Sequence, residues 1–253
     1  MTSWTIHQRA VDVYPGEKAD SPVIYLNTYA DVDQSMYQDI RARSGRDFSL
    51  VTISKLTWNH DMSPWAAGPI SKRDAAFTGG ADDYLKLLTD EIVPAAEATL
   101  PGTPAWRGLA GYSLAGLFAF YALYRTEAFS RAACMSGSFW FEGFADFVRS
   151  HTMKRKPDCV YFSLGDAESS TRNPILNVVQ RRTEEIEALC RAQGIESTFV
   201  LNSGNHFHAV HQRTAAGIIW ILNRSTQQEG KRVDPHDALD RGANRRQRQE
   251  PPC

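Results

Sequence analysis

The sequence lacks several features that would assign it to a class at once. No uninterrupted apolar run approaches the roughly 20 residues of a membrane span, so nothing in the chain calls for a bilayer. Only four cysteines occur, Cys134, Cys159, Cys190 and Cys253, far apart and without a C-x-x-C pair, which argues against a disulfide framework or a thiolate metal site. They read as reduced thiols, and the first three sit in apolar stretches where cysteine acts as a small buried hydrophobe. Neither sign of charge is in excess: 28 Lys and Arg face 29 Asp and Glu, a formal net charge of -1. No global field draws the molecule to nucleic acid or anionic lipid, so neither partner is expected. The opening Met1–His7 has no basic patch followed by a sustained apolar run, so a secretory signal is not read there and a cytoplasmic location is expected.

What is present is the composition of an ordinary soluble domain, 42% hydrophobic and 23% charged over 253 residues. That length suffices for one large α/β domain with a sizeable core. Residues 1–223 are expected to form it. From Arg224 the chain turns to Gln, Arg, Asp, Gly and Pro with almost no large apolar side chain, so 224–253 is expected to be a disordered tail.

Within 1–223, short runs rich in Val, Ile, Leu and Tyr alternate with segments of helical periodicity. That order predicts a mostly parallel sheet flanked by helices on both faces. Thr5–Tyr14 reads as an edge strand ending at Pro15-Gly16, while Pro22–Asn27 and Phe48–Ser54 read as buried strands. Gly80–Leu100 is expected to be a helix packing through Tyr84, Leu87, Leu88, Ile92 and Val93. Trp106–Gly111, Ala132–Met135, Cys159–Leu164 and Ser197–Leu201 complete the strands. Leu114–Tyr124 is apolar on nearly all sides and must be a buried helix. Pro174–Gln193 is expected to be an amphipathic helix turning Ile175, Val178, Val179, Ile186 and Leu189 inward, and Ala209–Leu222 a final helix.

Gly111-Tyr112-Ser113-Leu114-Ala115-Gly116 falls between a predicted strand and a predicted buried helix, the setting of a nucleophile elbow. A sharp strand-to-helix turn needs small neighbours two residues either side of the serine, here Gly111 and Ala115. It also aims a helix N-terminus at the reaction centre, where the Leu114 N–H can meet a developing oxyanion. A serine hydroxyl is a poor nucleophile near neutral pH and needs a histidine within reach. His206, His208 and His211 follow the last strand. His206 is chosen because it occupies the loop proper, whereas the other two sit at or in the helix start. A metal site at these histidines is weighed and set aside, since no matching carboxylate or cysteine motif accompanies them. No metal and no cofactor are expected. The acid that orients the imidazole should follow Cys159–Leu164, where Asp166 and Glu168 both qualify. A second oxyanion donor should be the N–H of Thr28 or Tyr29, after Pro22–Asn27. Trp65 and Trp140, on loops after the neighbouring strands, are candidate pocket walls.

Taken together, Gly111–Gly116, Ser136-Gly-Ser-Phe-Trp140, Gly165-Asp-Ala-Glu168, Gly204-Asn-His-Phe207 and Gly79-Gly-Ala-Asp82 resemble one branch of the α/β-hydrolases, that of esterase D, the mycolyltransferases and the siderophore trilactone esterases. The resemblance spans roughly Pro22 to Leu222. It implies Ser113 as nucleophile and His206 as base, favours Glu168, three residues after Gly165, as the acid, and points to the Tyr29 N–H as the second oxyanion donor. Carboxylic ester hydrolysis of a small-molecule substrate is the expected activity. Acyl transfer on the same fold and a silent binding protein are the alternatives.

Overall fold

The computed structural model describes residues 1–225; most of the 224–253 segment, with Cys253, lies outside the described residues. The strands are β1 Thr2–Ile6, β2 Arg9–Tyr14, β3 Val23–Asn27, β4 Ser49–Ser54, β5 Ala66–Ala67, β6 Phe77–Thr78, β7 Arg107–Tyr112, β8 Arg131–Met135, β9 Cys159–Gly165 and β10 Glu196–Asn202. The helices are α1 Gln34–Ser44, α2 Trp58–Asp61, α3 Ala81–Leu87, α4 Val93–Glu97, α5 Leu114–Arg125, α6 Phe144–Ser150, α7 Val179–Ala192 and α8 Val210–Leu222.

Eight strands form one sheet in the order β1-β2-β4-β3-β7-β8-β9-β10, with β5 and β6 pairing separately. From β4 to β10 every neighbouring pair is parallel, and β2, antiparallel to both β1 and β4, alone runs against the rest. Side chains along a strand alternate between faces, and the core divides accordingly. Val23, Tyr25, Leu109, Cys134 and Phe162 join one cluster with α3, α5 and α7. Ile24, Leu26, Ala110, Met135 and Tyr161 join another with α1 and α8. Helix α5 is buried from Leu114 through Tyr124, as its unbroken apolarity requires. Cys134, Cys159 and Cys190 are free and buried. Among the described residues no helix is long and apolar enough to cross a membrane.

Three segments depart from the pattern read in the sequence. Thr5–Tyr14 is not one strand: the chain reverses at His7 and Gln8, both at positive φ, and returns as the hairpin β1–β2. Hairpins of this kind usually advertise themselves with Asn-Gly or Gly, and none is present. Gly80–Leu100 is broken by a π-helical turn over Leu88–Ile92 between α3 and α4. Tyr84, Leu85, Leu88 and Ile92 share the buried face, while Leu87, at the margin of that face, is only half-buried. The helix expected from Pro174 begins at Val179, and Ile175, expected inside, lies in a preceding turn and is exposed.

Candidate active site

Ser113 stands alone between β7 and α5 with φ 62° and ψ -125°, a conformation costly for any residue with a Cβ. Surrounding hydrogen bonds hold it there: its N–H donates to Met135 O at 3.0 Å, and its carbonyl accepts from the N–H groups of Leu117 and Ser138, each at 3.1 Å. The turn is so tight that a Cβ on Gly111 would lie 2.3 Å from the backbone of Ala115, which explains why these positions are Gly and Ala. The strain lifts the Ser113 hydroxyl off the carboxyl end of the sheet.

The loops after β9 and β10 bring two more groups to it. His206 Nε2 lies 3.0 Å from Ser113 Oγ, and its Nδ1 lies 2.7 Å from Glu168 Oε2. Glu168 is nearly buried, its side chain 5% exposed. Its other oxygen accepts from Ser136 Oγ at 2.7 Å, Gly165 N at 2.5 Å and Arg213 Nη1 at 3.1 Å. Burial pushes the carboxyl toward the neutral form, but hydrogen bonds from His206 and the Gly165 N–H, the charge of His206 and the Ser136 hydroxyl outweigh it and hold Glu168 below the usual glutamate range. The imidazole thus sits between the hydroxyl and an ionised carboxylate.

Asp166, the other acid offered by the sequence, does not reach the imidazole. It is exposed, and its Oδ1 accepts from Gly204 N at 2.8 Å while its own N–H donates to Asn202 O at 2.8 Å. The reason is directional: as the first residue beyond β9 it faces the neighbouring loop, and Glu168 comes round one turn later to face His206. Asp166 therefore ties the histidine loop to β9. The sequence reading missed Arg213, which is buried on α8 and also donates to Ser203 O at 2.9 Å and Tyr112 Oη at 3.1 Å. Ser136 and Tyr112 complete the network: Ser136 Oγ and Tyr112 Oη lie 2.8 Å apart, and Tyr112 Oη donates to His206 O at 2.8 Å.

Of the two amides considered on the turn after β3, Thr28 N–H is spent on Ile53 O at 2.9 Å. The N–H groups of Tyr29 and Leu114 carry no hydrogen bond among the described residues. Tyr29, Leu114's neighbour Ser113, and His206 all border one cavity of about 570 Å³. Neither Trp65 nor Trp140 lines it, which corrects the expectation for both. Trp65 is drawn into an aromatic cluster with Phe141, Phe144 and Phe147, its Nε1 bonded to Glu142 O at 3.0 Å, and Trp140 packs on Phe77 and Phe141. The tryptophan on the cavity is Trp58, at the start of α2, with Tyr29 edge-on against it at 5.3 Å. The three histidines of the 206–211 segment do not converge: His206 is engaged as above, and His211 points toward Asp39 at 3.9 Å. Among the described residues no group of three or more His, Cys, Asp or Glu side chains is arranged to hold a metal ion.

Residues 8–223 match the model of the family described as "Putative esterase". The chain belongs to this family. It is an ester-hydrolysing enzyme on the α/β-hydrolase fold. This esterase is 23% identical over 188 residues to the uncharacterized protein YbbA of Bacillus subtilis, covering 72% of the chain and 75% of YbbA. Its fold is similar to that of the siderophore hydrolase EstA from Aspergillus nidulans, with a TM-score of 0.70 and 18% identity over 88% of this chain and 94% of EstA. It is also similar to an IroE-like serine hydrolase from Shewanella oneidensis, with a TM-score of 0.71 and 18% identity over 85% of this chain and 75% of that one.

Proposed function

We propose that this esterase hydrolyses carboxylic esters through an acyl-enzyme on Ser113, with His206 as general base and Glu168 as the acid that orients it. The observation that carries this reading is the unbroken line Ser113 Oγ, His206, Glu168, with separations of 3.0 and 2.7 Å. His206 Nε2 takes the Ser113 proton as Oγ attacks the acyl carbon. Glu168 stabilises the imidazolium so formed, and its ionised state needs no further adjustment at neutral pH. The carbonyl oxygen, now an oxyanion, is met by the free N–H groups of Leu114, at the N-terminus of α5, and Tyr29. His206 then delivers its proton to the departing alkoxide. Water, deprotonated by the same imidazole, attacks the acyl-enzyme and releases the acid with Ser113 restored.

The likeness in fold to a siderophore hydrolase makes a siderophore ester one substrate to test. The chemistry itself is tested by turnover of short p-nitrophenyl esters and by labelling with a fluorophosphonate probe. Ser113→Ala is expected to lose labelling and about 10⁶-fold in kcat, the scale measured for removal of a serine nucleophile in a protease. Labelling that survives the substitution overturns the assignment.

A further inference from the structure

The reaction proposed for Ser113 would act on any ester that can reach it, so selectivity must come from the cavity. Its wall is almost wholly apolar: Leu26, Val32, Met36, Trp58 and Val210 supply it from the end of β3, the turn after it, α1, α2 and α8. At the mouth, Tyr29 and Phe207 are 77% and 83% exposed, two of the few large apolar side chains left in water among the described residues. Tyr29 comes from the turn that bears the free amide and Phe207 directly follows His206, so they flank the reaction centre from two separate loops. Exposed aromatics on both sides of a cleft are an unfavourable way to end a surface unless something apolar is held between them.

The charges point the same way. Among the described residues no lysine or arginine lines the cavity; two histidines do, His206, engaged by Ser113 and Glu168, and His211, which faces Asp39, and one carboxylate, Asp31, is fixed by Ser54 Oγ at 2.7 Å. The nearest buried cation, Arg213, is committed to Glu168, Tyr112 and Ser203 and adds no positive charge to the cavity wall. An anionic substrate would shed its hydration against an apolar wall with no lysine or arginine to receive it, and would meet Asp31 as a like charge.

We infer that the cavity selects neutral esters bearing an apolar acyl chain of medium length and rejects substrates that carry negative charge, multiply anionic ferric tris-catecholates among them. This inference rests on the Ser113 reading and deepens it. Burying one methylene is worth about a fourfold gain in kcat/KM, so activity climbs with acyl length until the cavity is full.

The test is a series of p-nitrophenyl acetate, butyrate, hexanoate and octanoate, with the mono-adipate as a carboxylate-bearing counterpart of the hexanoate. Expected are a rise of at least tenfold in kcat/KM from acetate to the optimum and a deficit of at least thirtyfold for the adipate against the hexanoate. Asp31→Asn narrows that deficit at least threefold. Val32→Phe, at a half-buried position, lowers the octanoate-to-acetate ratio at least tenfold, and Met36→Trp does the same from deeper in the cavity. A flat or falling acyl profile, an adipate turned over as well as the hexanoate, or a ferric tris-catecholate lactone turned over better than the octanoate overturns the inference. In those outcomes Ser113 still labels with fluorophosphonate and the parent reading stands; loss of labelling and of all ester turnover in the wild type overturns both.

Discussion

Glu168 and Arg213 form a nearly closed ionic unit, with side chains 5% and 2% exposed and a separation of 3.1 Å. Breaking such a pair from one side leaves a buried charge without its counter-ion, at about 3–5 kcal/mol. Glu168→Gln is therefore expected to lower unfolding free energy by that amount in urea titrations and to cut kcat about 10⁴-fold, because the imidazolium loses its carboxylate. The double variant Glu168→Gln/Arg213→Met should regain part of the stability and none of the turnover, which separates the two roles. The pH dependence has a definite sign. Because the Glu168 carboxyl lies below the usual glutamate range when folded, the stability its ionisation contributes is present above the unfolded-state value and is lost as pH falls through the folded one. The gap in urea midpoint between wild type and Glu168→Gln is thus open above the usual glutamate range and closes in acid.

Between elements, the tightest joint lies where the loops after β9 and β10 cross. A Cβ on Gly165 would fall 2.1 Å from Gly204 O and 2.7 Å from Arg213 Nη2. Gly165→Ala must therefore push the histidine loop off its seat, and kcat is expected to fall at least tenfold with KM little changed, since the misplacement affects proton transfer and not the cavity wall. The elements themselves were legible in uneven degree. Leu114–Tyr124 could be read as a buried helix because it has no polar face, and Ser113 because small residues bracket it. The π turn at Leu88–Ile92 and the hairpin at His7-Gln8 left no mark, since each is a backbone choice made by ordinary residues under tertiary packing. Helix α1 had signals that went unread: Asp33 accepts from Ser35 N at its start and Gly45 ends it at φ 62°. Which of Asp166 and Glu168 faces the imidazole depends on the path of one turn, and which tryptophan reaches the cavity depends on competition with an aromatic cluster. Neither is encoded in local spacing. Arg213 escaped notice because nothing in a sequence distinguishes a buried arginine from a solvated one.

On the scale of the whole molecule, stability and selectivity reside in different aromatics. Phe120 is fully buried in α5 among Phe139, Phe144 and Phe162, so Phe120→Ala is expected to cost about 3–5 kcal/mol in chemical denaturation. Phe207, largely in water at the cavity mouth, should change stability by less than about 0.5 kcal/mol when replaced by Ala. The same division applies to the sheet. Nucleophile and core helix hang from β7, an interior strand, whereas the base hangs from β10, which among the described residues closes the sheet and has a neighbour on one side only. A border strand can detach at a fraction of the free energy needed to melt the centre. This enzyme should accordingly fall silent on gentle warming while its interior remains folded, and recover on cooling: its last strand behaves as a thermal fuse wired to the imidazole.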